Sequence, residues 1–318
     1  MLVYLARRSL ILLVSLLVAA VLLFVLLRML PGDPAAALVG VGATPEQIAA
    51  ARAQVGSDQP LWAQFLSYLR DLARLDLGAS FVSRAPVMAE ITARLGVTLP
   101  LTFAAFFLAL AIALPLGVIA AVRAQRWSGL VLSIIAQLGI AVPVFWLGVL
   151  LVWLFALHLR LFPSGGFPLR GFADTGKAVQ SMELPVLTIA LVMSASLMRY
   201  VRAAMLDVLE GDFLRTARAL GESFPEALIR HGLRNAAVPV VAVLGIELST
   251  TFLGAVVVEQ VFSLPGLGSM LLLAIQQRDY PNVQGVLLVS TLLVLLTGFL
   301  ADIVQRLLDP RLRGEGRR

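Results

Sequence analysis

The sequence predicts an all-α polytopic membrane protein with six transmembrane helices. Three observations carry that prediction. Of 318 residues, 59% are hydrophobic and only 14% charged, against about 25% charged in an average soluble domain. Six stretches, roughly 9–30, 99–121, 130–157, 184–201, 237–258 and 284–304, come close to the ~20 apolar residues that a bilayer crossing needs. Lysine and arginine are also distributed unevenly between alternate loops, as the positive-inside rule requires. The same composition excludes disorder, collagen and coiled coil. With no cysteine, disulfides, thiolate metal sites and cysteine nucleophiles are excluded too. His158 and His231 lie far apart in sequence, so no histidine metal cluster is expected and no cofactor is expected on this chain.

The first stretch is long and rich in Leu and Val. It lacks a small-residue cleavage site before Pro31-Gly32-Asp33-Pro34, so it reads as a retained helix, with a signal anchor as the alternative. The outer segment 31–98 contains two helix starts. Thr44 is suited to cap a helix with Pro45 at its first position. Pro60 opens a second helix, whose Leu61, Phe65, Leu69 and Leu72 form a stripe widened by Trp62 and Leu66. Arg70, Asp71 and Arg74 form its polar face. Such a helix reads as a small cap packed on the outer membrane face, with a helix lying on lipid as the less favoured alternative, since amphipathicity fits both.

With the N-terminus inside, the segments 1–8, 122–129, 199–236 and 306–318 hold 2, 2, 6 and 5 basic residues, and the short outer loops 158–183 and 259–283 hold 3 and 1. Both termini are therefore expected in the cytoplasm. The expected organisation is a tail and first helix (1–30), an outer helical segment (31–98), a five-helix core (99–305) containing the cytoplasmic loop 206–236, and a C-terminal tail (306–318).

That loop is the most informative segment. Leu206–Leu220 reads as helix, Gly221 as the residue that ends it at positive φ, and Ser223 with Glu226 as a capping box for the next helix. Pro225 is tolerated in a first turn, and Glu226 and Arg230 are spaced to pair at i,i+4. A solvated linker, a DNA-binding helix-turn-helix and a docking element for a cytoplasmic partner all fit a helix-turn-helix. Spans on both sides pin this one to the membrane, which disfavours nucleic acid as its partner.

Other residues stand out along the spans. Glu247 lies mid-span, where an ionised carboxylate is costly and normally faces a polar interior; Thr250 and Thr251 add hydroxyls beside it. Met193, Ser194 and Ser196 on the fourth span suit a pore wall, and equally plain helix packing. Asp302 is expected to pair with Arg306 at i+4. Glu259 closes the fifth span, and Pro265, Gly266 and Gly268 force a turn after it. Ser164 with His158 lacks the further motif that an intramembrane protease would need.

The whole chain resembles the B-type permease subunit of the dipeptide/oligopeptide ATP-binding-cassette importers. The resemblance runs through Leu30-Pro31-Gly32-Asp33-Pro34, Asp58-Gln59-Pro60-Leu61, Leu75 to Ser80 and Pro143 to Gly148. It continues through Arg215-Thr216-Ala217-Arg218-Ala219-Leu220-Gly221, His231 to Pro239, Val258 to Gly268, Arg278-Asp279-Tyr280-Pro281 and Asp309-Pro310-Arg311. It implies a fold of the type I importer permease and no ATPase chemistry here. Consistent with that, the sequence has no Gly-x-x-x-x-Gly-Lys-Ser/Thr phosphate loop.

The implied partners are a second permease, two ATPase subunits that bind ATP and Mg, an external binding protein and the lipid bilayer. The substrate would be a peptide, with nickel and glutathione importers sharing these motifs. A secondary transporter is the less favoured alternative, since no inverted repeat is convincing. The resemblance further implies an ATPase-coupling loop comprising Arg215, Thr216, Ala217, Arg218, Ala219, Gly221, Glu222, Ser223, Phe224, Glu226, Arg230, His231, Arg234, Asn235 and Pro239. It implies an outer gate or binding-protein contact around Glu259, Phe262, Pro265, Gly266, Gly268, Arg278 and Asp279.

Overall fold

The computed structural model describes residues 2–29, 39 and 42–308. The motifs at 30–34 and 309–311 and the tail beyond 308 lie outside the described residues. Helix α1 (Leu2–Met29) is followed by the short helices α2 (Pro45–Val55) and α3 (Leu61–Ala73). Thr44 caps α2 as expected, within a full capping box: its side chain accepts from the Gln47 amide and the Gln47 side chain reaches back to the Thr44 amide. Helix α3 has two apolar sides. Phe65 and Tyr68 pack on Phe24 of α1, with ring centroids 5.2 and 5.7 Å apart. Trp62 and Leu66 point outward, 71% and 63% exposed. The helix therefore docks on the first span while presenting a second apolar row on its free side.

Helix α4 (Val87–Val122) follows; the limit anticipated at 98/99 falls inside it. The span expected at 130–157 is bent. It consists of α5 (Trp127–Ala141) and α6 (Val144–Leu151), the latter continued by a π-turn over Val152–His158, and the two parts are bent by 102°. Pro143 causes the break. It offers no N–H, and it pushes the preceding Val142 into an extended conformation (φ −82°, ψ 123°). His158 stacks on Trp153 within the π-turn.

The remaining helices are α7 (Thr175–Leu209), α8 (Asp212–Ala219), α9 (Phe224–Ala227), α10 (Leu233–Val261), α11 (Leu267–Gln276) and α12 (Tyr280–Leu308). A π-turn over Leu228–Gly232 joins α9 to α10. Among the described residues, five helical runs are long and apolar enough to cross a bilayer, or six if the bent pair counts as one span.

The core lies between α4 and α7, which run in the same direction. Val97, Leu101 and Ala105 of α4 meet Met182, Leu184 and Ile189 of α7 at one end. In the middle, Ala109 and Ala113 meet Met193 and Leu197. At the other end Gly117 lies against Val201, where an added Cβ would stand 2.7 Å from the Val201 Cβ. Small residues at four-residue spacing let two backbones approach closely, the usual device between membrane helices. Helix α10 packs on α7 and on α12, with Gly245 against Ala301.

The expected Asp302–Arg306 pair is also corrected. Asp302 binds Arg8 of α1 at 2.9 Å, and Arg306 lies over the Tyr4 ring at 3.9 Å. Long-range partners from α1 have displaced the local one.

Candidate functional site

Three places on the bundle gather the singled-out residues: the end bearing Gly221, the middle of α10, and the end bearing Glu259.

At the Gly221 end, the helix expected over Leu206–Leu220 is corrected to two. Helix α7 stops at Leu209 and the chain breaks at Glu210-Gly211. Asp212 then starts α8 with an acid in its first turn, where the helix dipole favours it. Gly221 ends α8 at φ +101°. The Gly221 amide bonds Arg218 O at 3.1 Å and the Glu222 amide bonds Ala217 O at 3.2 Å. This pair of bonds is a Schellman closure, which needs the left-handed residue.

The expected capping box does not form. Ser223 is the cap residue but makes no bond to the backbone; its hydroxyl meets only the Glu226 carboxylate, at 3.4 Å. Pro225, at the second helical position, removes one of the two amides a cap side chain can bind, and the other, of Glu226, is not taken by the serine. Glu226 does not pair with Arg230. Glu222 reaches across the turn instead, to Arg230 at 3.6 Å and His231 at 3.3 Å.

The unit is fixed from beneath by buried Leu214, Ala217 and Ala227, with Leu209 and Phe224 against them. Arg218 lies over the Phe224 ring, and Asn235 donates to His231 O at 2.9 Å. Arg215, Thr216, Ala219, Arg234 and Pro239 are exposed. So are Leu220 and Ile229, at 83% and 66%.

In the middle of α10, the Ser196 hydroxyl of α7 donates to Glu247 Oε1 at 2.7 Å. Glu247 is half-buried and Thr250 is exposed on the same side. Met193, Ser194 and Thr251, suited by sequence to a pore wall, are corrected: all three are buried within this chain. Thr251 bonds its own helix at Glu247 O and touches Met193 Sδ, and Ser194 bonds Leu191 O.

At the Glu259 end, Glu259 is fully buried. Thr98 donates to its Oε1 at 2.6 Å, and the Gly268 and Ser269 amides donate to its Oε2 at 2.7 and 3.3 Å. The Leu267 amide is taken by Thr98 at 2.9 Å. One carboxylate and one hydroxyl thus satisfy the first turn of α11, a helix that no periodicity in the 259–283 loop had announced. Gly266 lies directly on the Glu259 carboxylate, and Gly268 on Val256, so neither position has room for a side chain. Phe262 is buried, and its carbonyl accepts from Gly166 at 2.8 Å. Pro265 is half-buried.

Arg278 ends α11 at φ +55°, and the Asp279 amide bonds Ala274 O at 2.8 Å. The Asp279 side chain is buried and takes Ser80 Oγ at 2.5 Å, the Phe81 amide at 3.0 Å and Asn282 Nδ2 at 3.0 Å. Thr98 and Asn282 were missed by sequence reasoning. A lone threonine in an apolar run, or an asparagine one turn into a helix, gives no signal until its partner is placed. Nearby, burial raises the Tyr68 phenol above its usual value, opposed by its contact with Gln284.

The sequence matches two family profiles. Residues 113–314 match the binding-protein-dependent transport system inner membrane component, and residues 1–102 match the N-terminal component of such systems. The glutathione transport system permease protein GsiC of Escherichia coli K12 is 39% identical over 313 residues, covering 98% of this chain and 99% of its own. A putative peptide transport system permease protein of Brucella abortus is 40% identical over 298 residues, covering 93% and 94%. Among solved structures, an inward-facing MetNI methionine ABC transporter is similar in fold, with a TM-score of 0.55, 22% identity, and 70% of this chain and 97% of that one covered. The bundle of apolar helices, the ordered motifs and these likenesses together place the chain in the family of binding-protein-dependent inner-membrane transport components: it is a multi-pass permease of an ATP-binding-cassette importer, in the branch of the peptide and glutathione permeases.

Proposed function

We propose that the chain forms half of the pore of a peptide importer and that residues 206–236 couple it to separate ATPase subunits. One observation carries the coupling role. A rigid helix-turn-helix, anchored by Leu214, Ala217 and Ala227, leaves the large apolar side chains of Leu220 and Ile229 exposed beside Arg215 and Arg230. Exposed apolar groups on an otherwise well-fastened unit mark a partner surface. The Gly221 end faces the cytoplasm on this reading, as do both termini, because the basic residues of the short loops concentrate there.

The ATPase partners supply ATP and Mg chemistry. Their closure pushes on α8 and α9, and the motion passes through the Leu228–Gly232 turn into α10 as rigid-body movement. A second permease completes the pore, and a binding protein delivers substrate to the Glu259 end. Along the pore, Glu247 and Thr250 remain on the free side of α10, where Glu247 supplies negative potential to the ammonium group of a peptide. Glutathione is the second reading, favoured by the name of the Escherichia coli relative. A panel of peptides, glutathione and nickel offered to the cognate binding protein separates these readings.

The test of coupling is Gly221→Val in the reconstituted complex. A β-branched residue at φ +101° costs of order 1–3 kcal/mol locally, too little to unfold the bundle. Substrate-stimulated ATP hydrolysis is expected to fall to the basal level while the subunits still co-purify. Normal stimulation would refute the coupling role.

A further inference from the structure

At the Glu259 end, a cavity of about 620 Å³ opens between the start of α4, residues 80–83, the loop 167–171 and one face of α11. That volume falls in the range of small-molecule sites, which are mostly apolar with a few placed polar groups. Here the polar groups are Glu90 and Arg94 on α4, Ser83 and Asn282; Met270 and Leu273 of α11 form part of the apolar wall.

Glu90 and Arg94 are both half-buried and stand one turn apart, in the order that favours an ion pair. They do not pair. Ser83 donates to Glu90 Oε1, and Asn282 Nδ2 donates to Oε2 at 2.8 Å. These neutral donors hold the carboxylate but leave its charge uncompensated. Arg94 has no carboxylate within ion-pair reach among the described residues; the acid it acts on through space, Glu259, is sealed in its own corner. Asn282 is 6% exposed, and its carbonyl oxygen has no hydrogen-bond partner among the described residues. The cavity therefore holds a cation with no carboxylate in ion-pair reach among the described residues, one helical turn from an acid held by neutral donors, and beside that acid an unused buried acceptor.

We propose that this cavity binds the free termini of a small peptide, with the ammonium at Glu90, the carboxylate at Arg94 and a side chain against α11. The reach is suitable. Positions i and i+4 are about 5–6 Å apart at Cβ, and an extended dipeptide spans about 7 Å. The site would be a first station for substrate released at the outer face, and so it rests on the peptide-importer reading.

The test uses the complete importer in nanodiscs without its binding protein, a dipeptide with free termini and a photoreactive side chain, and mapping of the labelled residues by mass spectrometry. Labelling is expected within 80–97 or 265–282, and an excess of Leu-Leu should suppress it. Arg94→Gln should lower labelling about tenfold, the loss that one charged hydrogen bond carries. Arg94→Lys, which keeps the charge but not the fork, should lose less labelling than Arg94→Gln without restoring the wild-type level.

Labelling indifferent to Arg94→Gln would overturn the proposal, as would equal competition by N-acetyl-Leu-Leu-amide. Equal competition by phosphoethanolamine would assign the cavity to a lipid headgroup and overturn it as well. A parallel uptake assay with the binding protein separates the two readings. Import of the probe without cavity labelling overturns this proposal alone. Failure to import any peptide overturns the peptide reading and this proposal together.

Discussion

Two glutamates on one helix have opposite surroundings. Glu259, at the end of α10, is fully buried and accepts from a threonine and two amides. Glu247, about three turns earlier, is half-buried and takes one serine hydroxyl. Both would be costly in apolar surroundings. The difference shows how a carboxylate can be accommodated there in two ways. Glu259 is consumed by its own chain: its oxygens do for α11 what a cap residue does for any helix start. Glu247 keeps one oxygen without a protein partner among the described residues, so its charge is available to something outside the chain.

The largest effect is expected at the consumed one. Glu259→Ala would strand the Gly268 and Ser269 amides and the Thr98 hydroxyl in a sealed corner. Buried groups left without partners cost about 1–3 kcal/mol each, and a whole domain is held by only about 5–15 kcal/mol. Little folded protein should accumulate. Gly266→Ala approaches the same corner from the other side, since the new methyl would collide with the Glu259 carboxylate. Thermal inactivation of both variants in detergent checks this. Survival near the wild-type midpoint would mean that the corner is not a fastener.

This contrast also marks what the sequence could tell. Spans, the Thr44 cap and the Gly221 turn were legible because local rules govern them: apolar run length, a cap residue before Pro45, a glycine where φ must be positive. The helix-turn-helix within 206–236 was legible as a unit for the same reason. Its internal pairing was not. Glu226 and Arg230 sit at the favoured spacing, yet Glu222 takes Arg230 and His231, because the Schellman turn folds residue 222 back over the next helix. Asp302 found Arg8 across almost the whole length of the chain. Glu259 was noticed as the end of a span and, through the resemblance, as part of an outer gate, but its fastening role was hidden, since its partners Thr98 and Gly268 lie on other segments. The bend at Pro143 was visible as a proline but hidden by the continuous apolar run around it.

Glu247→Gln should sharpen the comparison from the other side. Glutamine keeps the shape and can still accept from Ser196, so stability should change by less than about 1 kcal/mol. Transport is where the change should appear. Uptake of peptides with a free ammonium should fall, while that of N-acetylated peptides carried by the same binding protein should not. Unchanged uptake of both by the Glu247→Gln importer would show that this carboxylate is structural, and the two glutamates would then differ in degree only.

The smallest effect belongs to a third acid, near the end of α12. Asp302 is paired with Arg8 at 2.9 Å, but the two side chains are 32% and 38% exposed. An ion pair open to solvent contributes about 0–1 kcal/mol, and loss of Arg8 leaves a carboxylate that water can still reach. Tyr4 remains in place beneath Arg306, and its hydroxyl still meets Asp302 O at 3.3 Å. Arg8→Ala should therefore lower the thermal midpoint by no more than a few degrees, and less at high salt, where the wild type itself loses part of the pairing energy. Asp302→Asn should cost no more than Arg8→Ala, which also removes the Arg8 guanidinium from over the Tyr4 ring at 5.6 Å, and the double variant should match Arg8→Ala, because the ion pair is a single interaction. A loss as large as that at Glu259 would mean that the clasp between α1 and α12 is needed for assembly, and that exposure does not rank the acids of this bundle.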